Sequence, residues 1–136
     1  MVRHYALSVG PLPGGFHVIT KQVFDAVTQW PLQGMMHVFI QHTSAGLCIN
    51  ENADPTVRKD FELFFNRLAP ENLHGILHAM EGPDDMPAHI KSVLTGSSIS
   101  IPIVDGVPAL GTWQGIFLCE FRTNARPRDL LITIIE

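Results

Sequence analysis

The sequence predicts an α+β fold in one domain over residues 1–136: a mostly antiparallel, curved sheet or sandwich with about three helices. Three observations predict it. Roughly seven or eight apolar runs are of strand length, several with period-two alternation. The breaks between them are mostly hairpin-like and rich in Gly, Pro, Asn and Asp. About three stretches carry apolar residues at helical spacing between recognisable starts and stops. So many short strands favour a sheet that curves back on itself.

Residues 3–9 alternate weakly and predict a strand; Pro11, Pro13, Gly14 and Gly15 then break the chain. Phe16 to Ile19 predicts a second strand. Thr20 is placed to cap a helix running to about Trp30, with Val23, Val27 and Trp30 on one face. Pro31 and Gly34 end it. Met36 to His42 reads as a strand with Val38, Ile40 and His42 on one side. After Gly46, Leu47 to Asn50 continues as a strand. Asp54 and Pro55 mark a helix start: the carboxylate caps free N–H groups and the proline ring presets φ. Val57, Phe61, Phe64 and Leu68 form its apolar stripe, and Pro70 closes it.

Residues 72–85 look irregular. A short helix follows over about Met86 to Leu94, ended by Gly96. Ser98 to Val104 alternates, with Ile99, Ile101 and Ile103 on one face; Pro102 puts that strand at an edge or a bulge. Asp105-Gly106 is a hairpin turn. Gly111 to Phe121 and Leu130 to Ile135 supply the last strands.

Composition narrows the function classes. Charged residues are 16% of the chain, below the roughly 25% usual for soluble domains, so part of the surface is expected to face another subunit. A net charge of -4 gives no footprint for duplex nucleic acid. No apolar run approaches the ~20 residues that span a bilayer, and the first residues lack a signal-peptide core. Cys48 and Cys119 lie in apolar runs and read as reduced core thiols, which points to the cytoplasm.

The candidate chemistry sits in three stretches. Among seven histidines, His42, His78 and His89 have polar company able to fix a ring tautomer, whereas a lone histidine is more often structural. These three could hold Zn²⁺. Glu81, Asp84 and Asp85 surround Gly82-Pro83 and offer an alternative Mg²⁺ site, or simply a solvated turn with Asp85 as a helix cap. The stretch LGTWQG (110–115) combines glycines that permit close approach with Thr112, Trp113 and Gln114; the plain alternative is a strand with an ordinary turn. Gly96-Ser97-Ser98 could form a small anion-binding turn, and Lys91, Arg122, Arg126 and Arg128 could supply positive charge for a phosphate.

The segments HTSAGLCINENADP (42–55), EGPDDMPAHIKSVLTG (81–96) and LGTWQGIFLCEFR (110–122), in this order and spacing, resemble the YjbQ-like family, described as secondary thiamine-phosphate synthases. The resemblance implies a homotrimer of α+β chains. It implies joining of a pyrimidine diphosphate to a thiazole phosphate, with pyrophosphate released. On it, His42, Asn50, Asn52, Asp54, His78, His89 and Gln114 map onto family-pattern positions. With the residue chemistry added, His42, Asn50, Asp54 and Gln114 are the candidate catalytic groups. Thr43, Ser44, Asn52, Lys91, Ser97, Thr112 and Trp113 are the candidate contacts to a small phosphorylated substrate. Arg122 fits one form of the family's closing segment, while Arg126 and Arg128 are left unassigned by the resemblance. Three readings stand side by side: this transferase, a metal-dependent hydrolase with a three-histidine site, and a non-catalytic trimeric ligand-binding protein. A divalent ion, Zn²⁺ or Mg²⁺, is the expected cofactor of the first two.

Overall fold

The computed structural model describes Met1–Glu136. The elements run β1 (Val2–Val9), β2 (Gly15–Val18), α1 (Thr20–Ala26), β3 (Gln33–Ile40), β4 (Ala45–Glu51), α2 (Pro55–Leu68), α3 (Asp85–Thr95), β5 (Ser98–Val104), β6 (Val107–Pro108), β7 (Gln114–Glu120) and β8 (Arg128–Ile135). The strands form a five-stranded sheet in the order β1-β8-β3-β5-β6 and a three-stranded sheet in the order β2-β7-β4. All pairings are antiparallel. The fold is α+β, as the runs and breaks predict.

Alternation in the sequence fixes how the sheets meet. Met36, Val38 and Ile40 on β3, Ile101 and Ile103 on β5, and Leu130, Ile132 and Ile134 on β8 all point inward and are buried. Leu47, Ile116 and Leu118 of the smaller sheet face them in the same core. Full burial of each such side chain is worth about 1.5–3 kcal/mol. A one-residue slip would turn the whole set to water, so the register is strongly specified. On the far side of the smaller sheet, Phe16, Phe117 and Cys119 are covered by Phe61 and Phe65 of α2. The Asp105-Gly106 turn closes β5 onto β6 with φ positive at both residues (52° and 82°), the combination a two-residue hairpin needs.

Three local expectations are corrected. Helix α1 stops at Ala26 rather than Trp30, and Trp30 instead meets Phe24 edge-on at 5.8 Å. Thr20 does not cap it: its Oγ1 accepts the Ile116 N–H at 2.9 Å and ties α1 to β7. In α2 the apolar stripe is rotated. Phe61 and Phe65 turn inward because Phe16 and Phe121 offer rings to pack on, at centroid distances of 5.4–6.0 Å. Phe64 and Leu68 are left 58% and 53% exposed. Asp54 does cap α2, accepting from Thr56 N–H at 2.9 Å and Thr56 Oγ1 at 2.7 Å.

One glycine decides where α3 lies. A Cβ on Gly46 would stand 2.0 Å from Thr95 Oγ1 and 2.9 Å from the Gly96 carbonyl oxygen. Only glycine lets β4 pass this close to the end of α3. Ser92 Oγ then donates to the Ala45 carbonyl at 2.7 Å, and α3 lies along β4. No helix is long and apolar enough to cross a membrane.

Candidate metal centre at the head of α3

Asp85 opens α3, and His89 follows one turn later, on the same face. The segment before α3 reverses at Gly82 (φ 103°) and brings back His78, whose ring centroid lies 5.5 Å from that of His89. Asp85 Oδ2 is 2.7 Å from His78 Nε2 and 3.1 Å from His89 Nε2. The three ligand atoms lie within 4.8 Å of one another. Glu81 Oε2 adds a further oxygen at 2.8 Å from His78 Nε2, on a largely exposed side chain.

The hydrogen bonds orient the groups of this cluster. His89 Nδ1 is 2.8 Å from the Thr43 carbonyl oxygen, which can only accept. Nδ1 therefore carries the proton, and in the neutral ring Nε2 is a bare lone pair. Nε2 faces the Asp85 carboxylate oxygen: with a proton on it the ring donates to that oxygen, and without one the two atoms are placed to ligate a cation together. A ring N–H held by a backbone carbonyl is also how metal-binding histidines are commonly oriented. The donor set of two imidazoles and one carboxylate suits Zn²⁺ and related transition ions more than Mg²⁺, which prefers oxygen and water.

Charge around the cluster is held in place. Burial pushes the Asp85 carboxyl up, but the His78 hydrogen bond and the fields of His89 and Arg122 outweigh it and keep it below the usual carboxylate range. Asp84 behaves likewise: burial raises it, while Thr123 N–H and Arg122 bring it lower. Arg122 reaches both, with Nε 2.9 Å from Asp84 Oδ2, one terminal nitrogen on Asp85 Oδ1, and the other 3.1 Å from the Glu81 carbonyl. Beyond Asp84 and Arg122 opens a cleft of about 370 Å³, floored by Phe16, Phe65 and Phe121. Lys91 stands in its wall, 7% exposed, donating to Asn66 Oδ1 at 2.7 Å.

A family model described as UPF0047 protein YjbQ-like matches residues 7–136. The chain belongs to the YjbQ-like family. It is 43% identical over 130 residues to the UPF0047 protein YjbQ of Salmonella typhimurium, covering 94% of each chain. It is 50% identical over 101 residues to a UPF0047 protein of Synechocystis, covering 74% of this chain and 69% of that one. A conserved hypothetical protein from Thermus thermophilus superposes with a TM-score of 0.83 at 35% identity, over 93% of this chain and 96% of that one. A YjbQ/UPF0047 family protein from Clostridium acetobutylicum gives 0.78 at 38% identity, over 98% and 99%. These likenesses establish family and fold.

The structure divides the YjbQ-like signature segments between two ends of one small sheet. In the β4–β7 ladder Ala45 pairs with Glu120 and Glu51 with Gln114. At ~3.4 Å per residue, those ends are about 20 Å apart. The His78–Asp85–His89 cluster, Thr43 and Ser44 belong to the first end. Asn50, Asn52, Asp54, Thr112, Trp113 and Gln114 belong to the second. There the polar groups have local work. Gln114 Oε1 accepts Gly111 N–H at 2.8 Å, closing the turn, and Asn50 Oδ1 accepts Glu51 N–H at 2.7 Å. Asn52 fills the space where a Gly115 side chain would be, and Trp113 is 64% exposed. Ser97 contributes its carbonyl to β3, accepting Ile40 N–H at 2.9 Å.

The expected three-histidine set is not assembled within one chain. His42 lies past the end of β3, and its Nε2 accepts the Asp129 N–H at 2.7 Å. Burial and then Arg128 hold its pKa below the usual histidine value. Asp85 takes the third place instead. Ser44 is buried and gives its carbonyl to Arg128 at 3.3 Å. Arg128 in turn makes a buried bidentate pair with Glu120, at 2.7 and 2.6 Å, and is not free for phosphate. Asp-x-x-x-His on a helix was the sequence signal for the pair Asp85 and His89; the capping reading of Asp85 hides it. Nothing in the sequence signals the Glu120–Arg128 pair.

Proposed function

We propose that the chain is a metal-dependent hydrolase acting on a small phosphorylated substrate, with His78, Asp85 and His89 holding one divalent cation, Zn²⁺ by donor set. The observation behind this is the convergence of His78 Nε2, His89 Nε2 and Asp85 Oδ2 within 4.8 Å of one another, with the His89 ring fixed from behind by Thr43. A cation bound there supplies Lewis acidity toward a water or a phosphoryl oxygen. Glu81 is the group placed to take a proton, being largely exposed and beside His78. Nε2 of His89 and of His78 would be the ligand nitrogens, and Asp85 would offset positive charge. The test uses p-nitrophenyl phosphate as probe. Zn²⁺-loaded protein should hydrolyse it, chelation should stop turnover, and Glu81→Gln should lower kcat by about 10²–10⁴-fold with metal content unchanged. Equal turnover after chelation sinks the reading.

A transferase of the thiamine-phosphate-synthase kind is the second reading. The adjoining cleft of about 370 Å³ favours it, having room for a ring and a phosphate, with Lys91 in its wall. Against it, Arg122 and Arg128 are both bound to carboxylates, so little free positive charge remains for a leaving pyrophosphate. Formation of thiamine phosphate from the two phosphorylated rings with Mg²⁺ distinguishes the two readings.

We also propose a homotrimer. The outer face of the five-stranded sheet exposes Val2, Met35, Phe39, Val104 and Ile135. Between them runs a polar row in which His4 Nδ1 meets Thr133 Oγ1 and His37 Nδ1 meets Ser100 Oγ, both at 2.9 Å. Such a face, low in charge, suits an interface core. Sedimentation should show three chains together at micromolar concentration, and Phe39→Glu should release monomers; a wild-type monomer contradicts it.

A further inference from the structure

We infer that Arg122 is a positioning residue of the metal centre: it holds Asp85 so that one oxygen alone faces the ion. This rests on the metal reading above and adds a residue outside the ligand set. Asp85 has two oxygens, and only Oδ2 faces the two imidazoles. Oδ1 is taken by a terminal nitrogen of Arg122. The guanidinium cannot swing away. Its Nε is 2.9 Å from Asp84 Oδ2 and its other terminal nitrogen 3.1 Å from the Glu81 carbonyl oxygen.

The anchor behind it is also braced. Asp84 Oδ2 accepts from Thr123 N–H at 2.9 Å and from Thr123 Oγ1 at 3.1 Å. Arg122 N–H donates to Glu120 Oε2 at 3.2 Å, so the clamp is rooted in the buried Glu120–Arg128 pair at the end of β7. A planar fork spanning two carboxylates and a carbonyl is a job for arginine; a lysine ammonium is a single point charge. Without the clamp, Asp85 is free to rotate and offer both oxygens. The centre then shifts from a compact, nitrogen-rich site toward a larger, oxygen-rich one.

The test is Co²⁺ binding to metal-free protein, read by visible absorption and by calorimetry. Wild type should show the intense bands of low-coordinate Co²⁺. Arg122→Lys should bind Co²⁺ and Zn²⁺ about 10–100-fold more weakly, the usual effect of losing a ligand's partner. Its bands should weaken as coordination expands, with Tm close to wild type. Arg122→Ala should behave alike and recover its spectrum on adding millimolar guanidinium, a result that also shows the fold intact. Wild-type affinity and spectrum in Arg122→Lys, or no recovery of the alanine variant by guanidinium, overturns the inference while leaving the metal centre standing. Failure of the wild-type protein to bind either ion overturns both.

Discussion

Replacing Arg128 by alanine is expected to destabilise the fold by about 3–5 kcal/mol, the usual cost of stranding a buried charge. Glu120 is fully buried, and Arg128 nearly so. Both Glu120 oxygens accept from Arg128, and one also accepts Arg122 N–H. With the guanidinium gone, the Glu120 carboxylate keeps one backbone donor and must either stay charged or take up a proton. The pair also joins three pieces of chain, because Arg128 reaches the Ser44 carbonyl ahead of β4. Denaturant titration should show the midpoint falling with little change in slope. A double replacement, Glu120→Leu with Arg128→Met, should recover much of the loss, since an apolar pair of similar volume escapes the desolvation penalty. An alanine variant within about 1 kcal/mol of wild type, the usual worth of a surface ion pair, would mean the pair contributes no more than that.

Asp85→Asn should remove tight Zn²⁺ binding. The substitution keeps size and takes away the only ligand charge that is fully fixed. Losing a ligand's partner alone costs about 10–100-fold in affinity, so losing the ligand should exceed a hundredfold. Asp54→Asn is the matched control. Asp54 caps α2 by accepting from Thr56, and asparagine caps about as well. Calorimetry should separate the two variants: Asp54→Asn with wild-type affinity, Asp85→Asn without it. Equal affinity in both would remove Asp85 from the centre.

The strands were readable because burial alternates along them. Ile99, Ile101 and Ile103 share a face, as do Val38 and Ile40, and the turn at Asp105-Gly106 declares its own geometry. The cap at Asp54 was readable for the same local reason. The rotation of α2 was not. Phe61, Phe64, Phe65 and Leu68 allow two apolar faces, and only the position of Phe16 and Phe121 selects one. The site was half legible. His78 and His89 stood out by their company, but which third group joins them depends on where β4 begins. Gly46 sets that by admitting α3 against β4, which puts the Thr43 carbonyl behind His89 and leaves His42 with Asp129. Asn50, Gln114 and Trp113 cluster in sequence with polar and aromatic company, and the fold puts them at the other end of the β4–β7 ladder, about 20 Å along the strands, where Gln114 closes a turn.

The most direct test of the metal centre is Zn²⁺ titration of the wild-type chain after exhaustive chelation, followed by calorimetry at neutral pH. One ion per chain is expected, with loss of the tight site in Asp85→Asn and in His89→Ala. Binding that is weak, without fixed stoichiometry and unchanged in both variants would contradict that expectation.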